Sequence, residues 1–274
     1  MKKIALSIVF LAAVSLGWAQ NRETRDVSSF TRISYRVPGK LYLKQGSPQK
    51  VELVGPSDVL KEIETEVSGD RLIIGKENRW NDWGWSGKVD LTVYITVPTI
   101  EGVSVAGSGD LFCEEKINVS DLDLSVSGSG SMRLAFAATG NVEGDVSGSG
   151  DMDLKGSCNN FDSDVSGSGK VYASLSIKDM ADLGVSGSGR IQVQGNARTV
   201  KAGISGSGKV NAGELMADKC EVRISGSGDL EISVKEELDA TISGSGSVVY
   251  YGDPKRVNTH SSGSGHVRKR DTRS

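Results

Sequence analysis

Ala181-Asp-Leu-Gly-Val-Ser-Gly-Ser-Gly-Arg-Ile-Gln-Val-Gln-Gly-Asn-Ala-Arg-Thr-Val-Lys-Ala-Gly-Ile-Ser-Gly-Ser-Gly208 holds two copies of one pattern. In each, Gly-Ser-Gly follows alternating apolar and polar residues, first Ala181, Leu183 and Val185, then Val200, Ala202 and Ile204. The alternation resumes after the first triplet with Ile191 and Val193. A period of two puts the apolar side chains on one face of an extended strand and the polar ones on the other.

The same unit recurs across most of the chain. Gly-Ser-Gly begins at Gly107, Gly128, Gly148, Gly167, Gly187, Gly206, Gly226, Gly244 and Gly263, at intervals of 18 to 21 residues. So narrow a period marks a solenoid of short coils. Counted from the first Gly of each triplet, apolar residues fall mainly at −6, −4, −2, +4 and +6, all of one parity. Both glycines share that parity, so the wall there either lacks a side chain or turns a corner that requires positive φ. About five inward side chains, worth roughly 1.5 to 3 kcal/mol each, do not offset the ordering of about 20 residues at roughly 1 to 2 kcal/mol each. The coils must therefore stack, and about nine of them, some 4.8 Å apart, make a rod on the order of 40 Å long. The expected fold is an all-β solenoid with about 20 residues per coil, its regular repeats covering residues 101–267.

Residues 20–100 are β-rich but irregular, with alternating stretches at Leu41–Lys44, Val51–Val54, Arg71–Ile74 and Val89–Val97. They read as less regular coils continuous with the rod, or as a separate small β-layer. Ser57 to Val67 places Leu60, Ile63 and Val67 on one helical face, with Ser57 as a plausible N-cap. Such a helix would cover the open end of the stack, where unpaired strand edges invite aggregation. At the other end, Val257, Thr259 and Ser261 replace stronger apolar residues and Lys269 takes the +6 place, as expected of a terminal cap. Residues 268–274 form a basic tail, read first as solvated and second as an anchor to acidic glycans or lipid headgroups.

The first 19 residues read as a signal peptide. Lys2 and Lys3 precede an apolar run from Ile4 to Leu16, then Gly17-Trp-Ala19, so the mature chain is expected to begin near Gln20. No later segment approaches the roughly 18 to 20 apolar residues that span a bilayer, and no Cys after Ala19 offers a lipid anchor. The expected location is therefore outside the cytoplasm: periplasmic, at the cell surface or secreted. The formal charge is −3 for the whole chain and −5 without Lys2 and Lys3, with signs interspersed, so nucleic acid is not an expected partner. Cys113, Cys158 and Cys220 are widely and unequally spaced; packed thiols are the expectation.

Little in the sequence suggests catalysis. Polysaccharide-cleaving β-helices gather carboxylates and bases on neighbouring coils. Here the +3 column reads Asp110, Ser131, Asp151, Lys170, Arg190, Lys209, Asp229, Ser247, His266, blocks of alternating sign that suit a solvated ladder. Only His260 and His266 are histidines, both in the weak last copy. A triplet interrupting a strand nine times is no phosphate loop. The chain accordingly reads as non-catalytic, with no metal or other cofactor implied. The most unusual polar patch is Trp80-Asn-Asp-Trp83-Gly-Trp85, preceded by Arg79 and holding three of the four tryptophans. Flat amphipathic rings suit a sugar or a protein hot spot, so Arg79, Trp80, Trp83 and Trp85 are the candidate ligand-binding residues; the competing reading has the rings folded back to seal the rod.

Several of these features coincide in one known family. The leader, the Phe30-Thr-Arg-Ile33 segment with its following short strands, the Val97-Pro98 step and the repeated Val/Ile-Ser-Gly-Ser-Gly unit resemble the autotransporter adhesin "head GIN" family common in Bacteroidetes. The likeness covers nearly all of the mature chain. It implies a single-stranded right-handed parallel β-helix and an adhesive role, and it carries no agreed binding or catalytic residue. The sequence stops at Ser274 without a barrel of alternating strands, so self-translocation is not expected. The function expected is that of an exported, non-catalytic surface module binding an extracellular glycan or protein. Alternatives are an envelope scaffold and a polysaccharide-active β-helix enzyme, the latter on fold analogy alone.

Overall fold

A computed structural model describes residues 21–76 and 90–271. Its N-terminal strands are β1 (Asn21–Arg25), β2 (Arg32–Tyr35), β3 (Lys40–Gln45), β4 (Lys50–Gly55), β5 (Ile63–Ser68), β6 (Arg71–Lys76) and β7 (Thr92–Val97), with one helix, α1 (Ser57–Glu62). The array follows as β8 (Gly102–Gly107), β9 (Asp110–Val119), β10 (Leu122–Gly128), β11 (Ser131–Ala138) and β12 (Asn141–Gly148). Five long strands come next: β13 (Asp151–Gly167), β14 (Lys170–Gly187), β15 (Arg190–Gly206), β16 (Lys209–Gly226) and β17 (Asp229–Gly244). Three short ones close it, β18 (Ser247–Tyr251), β19 (Arg256–Gly263) and β20 (His266–Lys269).

The architecture is a parallel β-solenoid with about 20 residues per coil. Every triplet separates two strand runs, so the coils build two parallel ladders. One holds the residues before each triplet and the other those after it. Like stacks on like: Val105, Val126, Val146, Val165, Val185, Ile204, Ile224 and Ile242 form the −2 file in direct register, and none is more than 2 % exposed. Ser163 interrupts the dry file at −4, but its hydroxyl donates to the Gly144 carbonyl at 2.7 Å, so nothing polar is left unpaired.

The two glycines of the triplet do different work. At the first, φ lies between +106° and +125° in all nine copies, the left-handed side that side chains avoid. A Cβ on Gly206 would also stand 2.7 Å from the Gly187 carbonyl oxygen. The second glycine makes room for the coil below: a Cβ on Gly208 would meet Val185 Cγ1 at 2.3 Å. Both readings of the triplet thus hold, each at its own glycine.

The N-terminal portion is continuous with the rod, yet its coils do not stack in chain order. β2 and β3 lie against β8 and β9, whereas β6 and β7, later in sequence, sit outside β2 and β3. Antiparallel strands close that end, β5 on β6 in one ladder and β1 on β4 on β7 in the other. The helix packs on β4 and β5 and so ties the two ladder ends together; Arg25 of β1 donates to its Leu60 carbonyl at 2.8 Å.

That helix is shorter than the helical face predicted from Ser57 to Val67. Pro56 holds the N-cap position without a side-chain cap bond, and Ser57 lies inside the first turn, where it bonds Asn21. Ile63 already belongs to β5: only Leu60 is sealed by a helical face, and from Ile63 the alternation with Thr65 and Val67 follows the strand period that β6 pairs with.

At the opposite end β19 is exposed along its whole length. Its polar turn covers Leu238, Ala240 and Ile242, which it pairs with and which are fully buried. Pairing continues through Lys269, and Arg270 N–H donates to Tyr250 O at 2.9 Å. Among the described residues no helix is long and apolar enough to cross a membrane.

Candidate functional site

Arg79, Trp80, Trp83 and Trp85 lie outside the described residues. Their segment joins Lys76 at the end of β6 to Asp90 ahead of β7, so both of its attachments are on the coil that sits outside β2 and β3. In every later coil the corresponding place between the ladders is filled by a Gly-Ser-Gly bend.

Outward side chains form columns along the rod. In the +3 column the Ser131 hydroxyl donates to Asp110 at 2.6 Å, Ser247 donates to Asp229 at 2.7 Å, and Lys209 pairs with Asp229 at 2.9 Å. Lys170, Arg190 and Lys209 follow one another in register between these acids. Lys209 and Asp229, opposite in sign and one coil apart, thus cross-link exposed turns, though such a pair adds little stability in water.

An acidic patch on the other ladder escaped the sequence reading. At −5 the column runs Asp123, Glu143, Asp162, Asp182, and at −3 it holds Asp145 and Asp164. Carboxylates one coil apart repel, and Glu143, Asp162 and Asp164 hold their protons more tightly than usual. Burial, then Asp182, Asp164, Glu143 and Asp145, push the Asp162 carboxyl up to about 6. Asp164 is raised by burial and Asp145, and Glu143 by Asp145 first. Arg32 ends the column: its guanidinium passes over Gly102, where a Cβ would come within 2.9 Å of it, and reaches Asp123 at 2.6 Å. Counting offsets back from each triplet would have exposed this patch.

A second surface feature lies on the post-triplet ladder. Tyr94, Tyr42 and Phe112 occupy adjacent strands at one register position, their rings stacked with centroids 5.4 and 5.5 Å apart. Arg22 sits over Tyr94 and Arg133 over Phe112, at 5.5 and 5.9 Å. Neither aromatic contacts nor registers are visible in a sequence whose first coils lack the triplet.

All three cysteines are free and buried in the inner files. Burial pushes the thiols of Cys113 and Cys158 up to about 11 and that of Cys220 to about 12, so they are unreactive near neutrality. Among the described residues no group of three or more His, Cys, Asp or Glu side chains is arranged to hold a metal ion.

Comparison with known families gives a match to the family described as "putative auto-transporter adhesin, head GIN domain", over residues 29–194 and 176–254. The chain belongs to that head GIN family. Solved structures agree on the fold. A "putative lipid binding protein" from Parabacteroides distasonis superposes with a TM-score of 0.66 at 22% identity, over 91% of this chain and 96% of its own. A "putative adhesin" from the same species gives 0.66 at 20%, over 92% and 97%. One from Parabacteroides merdae gives 0.66 at 19%, over 91% and 95%. A search of the curated proteins finds no match. Head GIN membership gives the chain an adhesin-like role and leaves its ligand to the chemistry of the wall.

Proposed function

We propose that this head GIN chain is an exported, non-catalytic adhesin that displays a rigid β-solenoid outside the cytoplasm and holds an extracellular glycan or protein through the tryptophan-bearing segment 79–85. Family membership supports the adhesive class. What supports the site is that the sequence joining β6 to β7 carries three tryptophans, whereas each regular coil joins its two strands through Ser and Gly alone. A short connection of Ser and Gly suits stacking; one whose sequence holds three tryptophans suits contact with a partner. The leader from Lys2 to Ala19 supports export.

Two measurements test it. Protease applied to intact cells should remove the chain, and its N-terminus should be Gln20. Purified protein should retain binding to whole cells or extracted envelope polysaccharide, and the double variant Trp83→Ala, Trp85→Ala should lose it with an unchanged melting curve. Undiminished binding by that variant would refute the assigned site, and protease protection on intact cells would refute surface display.

A further inference from the structure

We propose that Lys170 and Arg190 hold the carboxylate of a single acidic sugar carried on an otherwise neutral glycan. This rests on the adhesive reading and deepens it by naming a second contact site and its ligand class. Both cations stand at the +3 position of successive coils, exposed and in direct register, about 4.8 Å apart along the rod. Neither makes an ion pair among the described residues, whereas Lys209, the next in the file, is held by Asp229 at 2.9 Å. Two neighbouring cations repel. A carboxylate set between them removes that repulsion, and its two oxygens match the planar fork of the guanidinium.

What borders the pair decides the occupant. The file continues with Asp151 before Lys170, and with Lys209 and Asp229 after Arg190. Three cations against two acids leave one unit of positive charge, which one carboxylate cancels. A polymer charged on every sugar would lay further anions over Asp151 and Asp229. Sideways along the same coils the outward residues are uncharged, Tyr172 and Ser174 next to Lys170, Gln192 and Gln194 next to Arg190. Tyr172 is 37% exposed, and neither its hydroxyl nor the Gln192 amide bonds to another described residue, so both are open to sugar hydroxyls. A cleft of about 360 Å³ adjoins the pair, lined by Arg190, Asn211, Asp229 and Glu231 and, coils further on, by Arg268 and Arg270. Its carboxylates and amide accept from the hydroxyls of neutral sugars. A bilayer is a poor occupant, because two free cations are too few to hold anionic headgroups.

The test is affinity electrophoresis of the full mature chain in gels cast with glucuronoxylan, gum arabic or xanthan, whose acidic sugars are spaced by neutral ones. Arabinoxylan is the neutral counterpart and polygalacturonate the fully charged one, with migration normalised to a plain gel. Retardation is expected in at least one of the first three, less in polygalacturonate and none in arabinoxylan. Lys170→Gln and Arg190→Gln should each weaken it about threefold to tenfold, one charged contact at a wet surface, and Arg190→Lys should fall between. Lys201→Gln serves as control, since it makes the same charge change at an exposed position of the other ladder. Equal melting curves exclude a folding defect. Free migration in all three gels, full binding by Lys170→Gln, equal loss by Lys201→Gln, or stronger retardation in polygalacturonate overturns the proposal. So does flotation on phosphatidylglycerol vesicles that Lys170→Gln abolishes, because the occupant is then a lipid headgroup. Cell binding that Trp83→Ala, Trp85→Ala abolishes, while every gel is passed freely, would sink this inference alone; retardation of a chain that binds no cells would sink the adhesive reading instead.

Discussion

Replacing Gly206 and Gly203 by alanine, one at a time, should move stability in opposite directions although both lie in β15 three residues apart. Gly206 has φ +118°, and a Cβ there meets the Gly187 carbonyl oxygen at 2.7 Å and its Cα at 3.3 Å. Backbone strain of that kind costs on the order of 1 to 3 kcal/mol. Pushing the coils apart weakens the Ser207 N–H to Gly187 O bond, 2.9 Å long, worth about 1 kcal/mol. Gly206→Ala should therefore lose about 2 to 4 kcal/mol. Gly203 has no positive φ, and nothing lies within 4 Å of its added Cβ. Alanine there removes the entropic cost of glycine in a strand, a gain of about 0.5 kcal/mol. Urea denaturation followed by circular dichroism gives the global value. Amide exchange should place the Gly206→Ala loss in the turns carrying Gly187, Gly206 and Gly226, because a solenoid fails through neighbouring repeats. Equal effects of the two substitutions, or a Gly206→Ala protein within about 0.5 kcal/mol of the parent, would refute the account of the bend.

Further outcomes follow from the same geometry. Ile204→Asp buries an unpaired charge between Val185 and Ile224 and should cost about 3 to 5 kcal/mol in the same denaturation assay. Lys209→Ser breaks only its exposed pair with Asp229 and should cost less than about 1 kcal/mol. Asp162 binds its proton more tightly folded than unfolded, so between its ordinary value near 3.8 and about 6 the native state holds the extra proton and stability falls as pH rises. Because the Asp162 carboxyl is only partly shielded from solvent, screening reduces the effect to on the order of 1 kcal/mol. Asp162→Asn should then be the more stable protein at pH 7 and show a flatter stability profile from pH 4 to 6.

The regular array was legible because one triplet fixes both parity and register. Val185, Ile204 and Ile224 sit at equal offsets in sequence and in one buried file in space. The burial of the cysteines was expected from their wide, unequal spacing, which fits no disulfide framework. The first coils were not legible in detail. Without a triplet, nothing in the stretches around Leu41 and Leu72 states which strand lies outside which, and the order is decided by long-range pairing of β2 with both β6 and β8. The helix was overextended because Ile63 and Val67 satisfy a helical and a strand period alike over so short a span. Surface sites suffered most: Asp123, Glu143, Asp162 and Asp182 are about 20 residues apart, and Tyr42 is 52 residues from Tyr94. They become neighbours only once the register is known.

The stack itself is tested most directly by nitroxide labels placed together at Ser186, Ser205 and Ser225, outward positions in direct register. The native thiols are buried and escape the labelling chemistry. With coils about 4.8 Å apart, the three labels should exchange-couple and collapse to a single broad line in the room-temperature spectrum. Three independent, sharp triplet spectra would mean that these serines are not one column, and the solenoid would be wrong.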